Sequence, residues 1–309
     1  DLSDGQTNNS ANLPPDTYSV VENTPVGWDL TSTVCSDGSA ANAISLQAGE
    51  TVTCVFTNQK DAFIIVDKVT DPTGDPTLFD FTTSYGLPFS LTDATAPNNS
   101  SDLVPGTYSV AEAAEPGWDP TSATCDDGSP VGAISLQAGE TVTCTFDNTK
   151  QGKITIVKDA QPNDCQNFSF AMTRQNNFSL DDDAGVVACQ DSNEPVSQTF
   201  SNIAPQSYTV TETLPNAFWQ FGGVTCVNTV GGTPYPMSNV TNGMTVNLIP
   251  GADVTCTFVN NKLGPTRTQG FWQTHTSFTS GIFATYFGGG MPIGSAPHKG
   301  VITNVQLPG

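Results

Sequence analysis

The stretch LPPDTYSVVENTPVGWDLTSTVCSDGS at residues 13–39 returns as LVPGTYSVAEAAEPGWDPTSATCDDGS at residues 103–129. Downstream of it, AISLQAGETVTCVFTNQK at residues 43–60 returns as AISLQAGETVTCTFDNTK at residues 133–150, again 90 positions later. No insertion or deletion separates the two copies. Self-similarity at a fixed period indicates that one structural unit is repeated along the chain.

A third and looser copy reads IAPQSYTVTETLPNAFWQFGGVTC at residues 203–226 and ends in GADVTCTFVNNK at residues 251–262. Apolar runs precede the two later copies, FIIVDKV at residues 63–69 and KITIVKD at residues 153–159, and an F-x-F pair follows each run. These runs are rich in β-branched residues, alternate with period two and are bounded by Pro, Gly, Asn and Asp. We therefore predict an all-β chain of three tandem Ig-like β-sandwiches, with about seven strands in a complete repeat.

The copies divide the chain into four parts. We place repeat one at residues 1–60, repeat two at residues 61–150, repeat three at residues 151–262 and a different, irregular C-terminal segment at residues 263–309. Repeat one is incomplete, because Asp1 corresponds to Leu91 of repeat two and so falls well after the first strand. Repeat one is therefore predicted to lack its first strand and the lysine that this strand carries.

The C-terminal segment offers a candidate for the missing strand, since KGVITNVQ at residues 299–306 is similar to the KITIVK pattern of repeat three. Three domains in line form a rod of about 100 Å, and residues 263–298 would have to run back along it almost fully extended. Insertion into the next copy needs no such reach, and such a head-to-tail contact does not close, so it builds a filament. The predicted donor residues are Val301, Ile302, Thr303 and Val305.

The composition excludes several classes of partner. The chain carries 30 acidic against 9 basic residues, a formal net charge of −21. Such a surface repels phosphate backbones and anionic lipid, so we expect no nucleic-acid partner. No apolar run of about 18 residues suggests membrane insertion.

The eight cysteines occur in spaced pairs without a C-x-x-C motif, which argues against zinc and for disulfides in an extracellular, secreted or cell-surface protein. In TVTCVFTN, Val52, Cys54, Phe56 and Asn58 share a face that its apolar members mark as the core side, so Cys54 points inward toward Cys35. The same reasoning pairs the corresponding cysteines of the later repeats, and the two that remain are expected to pair within repeat three. The predicted disulfides are Cys35–Cys54, Cys125–Cys144, Cys226–Cys256 and Cys165–Cys189.

The pattern G-x-Y-x-V-x-E-x-x-x-x-G-W, followed by A-G-E-T-V-T-C-x-F-x-N, resembles the CnaB/SpaA-like prealbumin-like repeats of bacterial surface stalks and fibres. The resemblance covers residues 1–262, and repeat three departs from it with Phe218 and Trp219 in place of Gly-Trp. The resemblance implies stalk or fibre modules. Many domains of this kind contain an intramolecular Lys–Asn isopeptide bond that a buried acid assists.

Strand alternation places a lysine, a glutamate and an asparagine on the core side of both complete repeats. Repeat two contributes Lys68, Glu112 and Asn148, and repeat three contributes Lys158, Glu212 and Asn260. A buried carboxylate is costly unless it is paired or neutral. Two interpretations stay open here, a partly wetted Lys–Glu ion pair or an isopeptide bond.

The remaining features are assigned to the surface. Aromatic residues between positions 271 and 287, with a short helix near residues 276–287, are expected to anchor an interface, and His275 and His298 are expected to pack rather than to bind a metal. The acidic run Asp181–Asp182–Asp183 is expected to be a solvated turn, and neither calcium nor another cofactor is predicted. The sequons supply candidate glycosylation sites at Asn8, Asn98, Asn99, Asn167, Asn177 and Asn239.

These observations favour a structural protein. We predict a filament subunit whose partners are copies of itself, with a stalk fragment of a longer modular cell-surface adhesin as the alternative. No nucleophile–base pair, phosphate-binding loop or metal cluster supports an enzyme.

Overall fold

The computed structural model describes residues 1–182 and 194–264, and every regular element in these residues is a β-strand. No helix long and apolar enough to cross a membrane occurs in this part of the chain. The chain divides into two compact units, Asp1–Lys150 and Gln151–Gly309. Repeats one and two lie in the first unit and repeat three lies in the second.

Repeat one contains four strands: β1 (Asp16–Tyr18), β2 (Trp28–Cys35), β3 (Ile44–Leu46) and β4 (Cys54–Lys60). They form two separate antiparallel pairs, β1 with β3 and β2 with β4. Repeat one is therefore far from a closed sandwich in the described residues.

Repeat two contains nine strands: β5 (Phe63–Asp71), β6 (Phe79–Thr83), β7 (Phe89–Leu91), β8 (Asn98–Asn99), β9 (Gly106–Tyr108), β10 (Val110–Glu112), β11 (Trp118–Cys125), β12 (Ile134–Leu136) and β13 (Thr141–Lys150). One sheet has the order β11-β13-β5-β8, and it faces strands β10-β6-β7 and the pair β9-β12. Apolar residues alternate along these strands and meet in one core that includes Phe79, Phe81, Trp118 and Phe146. The first and last long strands, β5 and β13, are parallel neighbours.

Repeat three is built in the same way from β14 (Gly152–Gln161), β15 (Asp164–Met172), β16 (Phe178–Asp182), β17 (Ser197–Ile203), β18 (Ser207–Thr213), β19 (Trp219–Asn228), β20 (Met237–Val240), β21 (Gly243–Asn247) and β22 (Asp253–Lys262). Its sheets have the orders β17-β14-β22-β19 and β16-β15-β18-β21-β20. Here too the first and last strands, β14 and β22, pair in parallel. The core of this repeat lies between the two sheets.

Repeat one lacks more than a first strand in the described residues. Its four strands correspond to β9, β11, β12 and β13 of repeat two, and nothing corresponds to β5, β6 or β7. Residues 20–22, which correspond to β10, are not a strand, because β10 pairs with β6 in repeat two and no described strand takes that place in repeat one. Among residues 1–60, only Cys35 and Ile44 are buried apolar side chains.

The cysteine pairs join neighbouring strands of one sheet. Disulfides Cys35–Cys54, Cys125–Cys144 and Cys226–Cys256 connect residues that are direct cross-strand partners. Cys165 is also disulfide-bonded, and its predicted partner Cys189 lies outside the described residues. The disulfides in repeats one and two both close a separation of 19 residues, and the one in repeat three closes 30.

The prediction of a solvated acidic turn at residues 181–183 is wrong for its first two members. Asp181 and Asp182 end strand β16 and are buried, and the backbone N–H of Ala160 donates a hydrogen bond of 2.9 Å to Asp182 Oδ2. This main-chain hydrogen bond offsets part of the cost of burying the Asp182 carboxylate. Asp183 lies outside the described residues.

Candidate functional site

In repeat two, three strands bring Lys68, Glu112 and Asn148 together on the core side. Lys68 lies on β5, Glu112 ends β10 and Asn148 lies on β13. Lys68 Nζ is 3.5 Å from Glu112 Oε1, and Asn148 Nδ2 donates a hydrogen bond of 3.1 Å to the same oxygen. The carboxylate oxygen therefore lies between the amine and the carboxamide.

The ammonium group of Lys68 is also held by the backbone. Nζ donates hydrogen bonds of 2.8 Å to the carbonyl of Val69 and 2.9 Å to the carbonyl of Phe146, and it lies 4.4 Å from the ring centroid of Phe79. Carbonyl oxygens and an aromatic face are both favourable surroundings for a buried cation. The Lys68 side chain is fully buried, with 0% of its surface exposed.

Burial acts on both charged groups in the direction of neutrality. Desolvation lowers the pKa of Lys68 and raises the pKa of Glu112, although each group partly offsets the shift of the other. An amine with a lowered pKa has more of its nucleophilic, unprotonated form, and a protonated carboxyl can donate a hydrogen bond. Asn148 Oδ1 is buried and has no hydrogen-bond partner among the described residues, so it is an acceptor that such a donor could use.

Repeat three reproduces this arrangement. Lys158 Nζ is 3.7 Å from Glu212 Oε1, and Asn260 Nδ2 donates a 2.8 Å hydrogen bond to that oxygen. Lys158 Nζ also donates to the carbonyls of Asp159 and Phe258, at 3.1 Å each, and lies 4.3 Å from the centre of the Phe168 ring. Burial again lowers the pKa of the lysine and raises the pKa of Glu212. The two complete repeats thus share one site design.

Repeat one holds the acid and the amide of this site without a lysine. Asn58 Nδ2 donates a hydrogen bond of 2.6 Å to Glu22 Oε1. Glu22 and Asn58 were not among the predicted site residues, yet each stands 90 positions before its counterpart, Glu112 or Asn148. The repeat offset was therefore the signal that could have identified them.

The surface around this pair is open. We call it the acceptor face and define it by residues Leu13, Val20, Glu22, Trp28, Phe56 and Asn58. Trp28 is 42% exposed where Trp118 is 7% exposed, and Val20 is 48% exposed where Val110 is 2% exposed. Phe56 is half-buried, whereas Phe146 is buried. The residues of repeat one that correspond to the core of repeat two are therefore partly exposed.

The candidate glycosylation sites fall in two groups. Asn8, Asn99, Asn167, Asn177 and Asn239 are exposed, while Asn98 is half-buried. Asn98 lies on the short strand β8, opposite Val66. The exposed members are sterically better suited to carry a glycan than Asn98.

Other sequence-predicted features lie outside the described residues. These are the donor residues Val301, Ile302, Thr303 and Val305, the aromatic stretch with its predicted helix, and both histidines, His275 and His298.

Comparison with known families matches this chain three times to the prealbumin-like fold domain, at residues 2–60, 64–150 and 154–262. The chain belongs to this family of all-β domains. The fold class follows from these matches and from the strands described above.

Among solved structures, the chain is similar to the Bacillus anthracis TIE protein at 14% identity and a TM-score of 0.29, over 78% of this chain and 50% of that one. The chain thus spans half the length of the TIE protein. It is also similar to the major pilin of Streptococcus pyogenes (14% identity, TM-score 0.29, 67% of this chain and 100% of that one). A third similar structure is the C-terminal fragment of the pilus adhesin SpaC from Lactobacillus rhamnosus GG (16% identity, TM-score 0.26, 68% and 100%). A search of curated proteins gave no match.

Proposed function

We propose that this chain is a structural subunit of an extracellular, cell-surface or secreted filament, assembled head-to-tail by donor-strand complementation. Residues 299–306 of one copy would fill repeat one of the next. The observation that supports this proposal most directly is the acceptor face, where Trp28 and Val20 are several times more exposed than their counterparts in repeat two. Covering such apolar surface stabilises an interface.

The donor strand would pair with the free edge of β4. In repeat two, the corresponding strand β13 lies between β11 and β5. In repeat one, β4 pairs with β2 on one side, and no described strand pairs with its other side. An unpaired edge of N–H and C=O groups is a template for strand addition.

One donor strand would replace β5 but not β6 or β7. We propose that the aromatic residues between positions 271 and 287 cover the area that Phe79 and Phe81 of β6 cover in repeat two. These two rings are fully buried, so their absence from repeat one leaves a large apolar area to be filled.

Repeat one lacks counterparts of three strands, β5, β6 and β7, in the described residues, and this number also favours a second candidate function. In that reading the chain is a stalk segment of a longer modular surface adhesin, and polypeptide outside this sequence completes repeat one. The two candidates differ in whether the purified chain polymerises.

A truncation separates them. We expect the full chain to form fibres in negative-stain images and to sediment as polymers, and the chain that ends at Pro297 to remain monomeric. A matched control replaces residues 298–309 by a Gly/Ser sequence of the same length. Fibres formed without residues 298–309 would show that the donor-strand proposal is wrong, and a monomeric full chain would favour the stalk.

We also propose that the lysine and asparagine of repeats two and three can be joined by an isopeptide bond. The Lys Nζ would attack the Asn Cγ, the Cγ–Nδ2 bond would break and ammonia would leave. Intact mass spectrometry tests this directly, because each bond lowers the mass by one ammonia beyond the hydrogens lost to disulfides. An intact mass without that loss would leave the buried ion pair as the correct description.

A further inference from the structure

Repeat one retains the acid and the amide of this site, but no ion pair among the described residues involves Glu22. Glu22 Oε2 and Asn58 Oδ1 are buried and have no hydrogen-bond partner among the described residues, as is also true of Glu212 Oε2 and Asn260 Oδ1 in repeat three, so the missing lysine is what distinguishes repeat one. The other atoms of these groups are paired with each other, since Asn58 Nδ2 donates to Glu22 Oε1. In the two complete repeats, a lysine Nζ lies 3.5 Å and 3.7 Å from the corresponding carboxylate.

We propose that Glu22 and Asn58 form a receptor for a lysine carried by the β-strand of a second copy of this chain, and that Lys299 is this lysine. The inference rests on the proposed donor-strand function and adds the chemical feature by which repeat one recognises its donor. A carboxylate that remains partly buried without a countercharge is unfavourable, so a cation that arrives with the strand is selected over a neutral residue.

The register of repeat two shows where the lysine must lie. Lys68 of β5 is the parallel partner of Phe146 on β13. The residue 90 positions before Phe146 is Phe56 on β4. A strand added to the free edge of β4 therefore brings its residue opposite Phe56 to the level of Glu22 and Asn58.

The lysine inventory points to Lys299. The sequence contains seven lysines. Lys68 and Lys158 are enclosed in their own repeats, and Lys60, Lys150, Lys153 and Lys262 lie on described strands. Lys299 stands at the start of the proposed donor strand.

The alternation of side chains along the donor strand also predicts whether that strand runs parallel or antiparallel to β4. Lys299 has the same phase as Val301 and Thr303 but precedes them, whereas Lys68 follows the apolar residues of β5. Lys299 can lie opposite Phe56 while Val301 and Thr303 enter the core only if the strand runs antiparallel to β4. Val301 would then take the place of Val66, and Thr303 the place of Ile64.

Peptide binding tests this inference without any change to the fold of the acceptor. A labelled peptide of residues 298–309 is titrated with the full chain, at concentrations where sedimentation shows monomer, and binding is followed by fluorescence anisotropy. We expect the Lys299→Met peptide to bind at least about tenfold more weakly than the native peptide, as is typical when one partner of an enclosed charge pair is removed.

Substitutions in repeat one of the full chain test whether Glu22 is the residue that binds Lys299. In the Glu22→Gln chain, the native and Lys299→Met peptides should bind within about twofold of each other, since their difference depends on one interaction. Glu50→Gln is the matched control, because Glu50 is an exposed acid of the same repeat, and it should preserve the tenfold preference. Equal binding of both peptides to the native chain would overturn the inference.

The outcome is independent of the truncation experiment. If the full chain polymerises through residues 298–309 but the two peptides bind equally, donor-strand assembly stands and the lysine receptor is wrong. If the full chain does not polymerise but prefers the native peptide by tenfold, the receptor stands and the filament is wrong.

Discussion

The disulfides of repeats one and two provide a matched test of how unequal these repeats are. Cys35–Cys54 and Cys125–Cys144 each close a separation of 19 residues between direct strand partners. In the chain-entropy model, a loop of this length stabilises the folded state by about 3 kcal/mol. Replacing both cysteines of a pair by serine should therefore remove the same free energy from either repeat.

The consequences should nevertheless differ. Repeat two has a full apolar core, and a domain of its size has an unfolding free energy of about 5–15 kcal/mol. It should stay folded after a loss of about 3 kcal/mol. Repeat one has two buried apolar residues in the described structure, so the same loss should leave it unfolded in the monomer.

Hydrogen exchange with mass spectrometry reads out both repeats in one experiment. In the Cys35→Ser/Cys54→Ser chain, peptides covering β4 should lose protection completely while those covering β13 keep it. In the Cys125→Ser/Cys144→Ser chain, β13 should exchange faster but remain protected. Undiminished protection of β4 in the first variant would refute the argument that repeat one depends on its disulfide.

Three further predictions concern single side chains in the repeats. Burial raises the folded pKa of Glu212 above 4.5. The contribution of Glu212 to stability is therefore fully present below about pH 4.5 and is lost as pH rises through the folded pKa. In denaturant unfolding measured at a series of pH values, Glu212→Gln should flatten this dependence of the unfolding free energy on pH. Trp118→Ala should cost about 3–5 kcal/mol in urea unfolding, and Trp28→Ala less than half of that, because Trp28 is already 42% exposed. Equal losses would contradict the open acceptor face. Gly243→Ala should destabilise repeat three by more than about 1 kcal/mol, because a Cβ would collide with the Val210 carbonyl, and an unchanged melting temperature would contradict this packing.

The repeat offset and strand alternation were enough to predict the disulfides in the described residues and the meeting of Lys68, Glu112 and Asn148. Both rest on short-range rules: alternation decides the face of each side chain, and equivalence between copies supplies the partner. The fold class was predictable for the same reason.

Other features depend on neighbours that a local pattern does not contain. Residues 20–22 have the sequence of a strand but do not form one, because a strand needs a partner and no described strand takes the place of β6 beside them. The buried Asp182 carboxylate accepts a hydrogen bond from Ala160, more than 20 residues away, which offsets part of the cost of its burial. A run of charged residues usually indicates a solvent-exposed segment, and only the tertiary structure shows that Asp182 is an exception.

The parallel pairing of first and last strands decides how a complete repeat responds to being pulled. In repeat three, nine register pairs run from Lys153↔Asp253 to Gln161↔Asn261. Tension that enters at the start of β14 and leaves at the end of β22 acts at opposite ends of this ladder, so its hydrogen bonds are loaded together in shear instead of opening one at a time. Repeat two has the same geometry between β5 and β13. Repeat one, which lacks a counterpart of β5 in the described residues, would bear such a load only after another strand has joined β4.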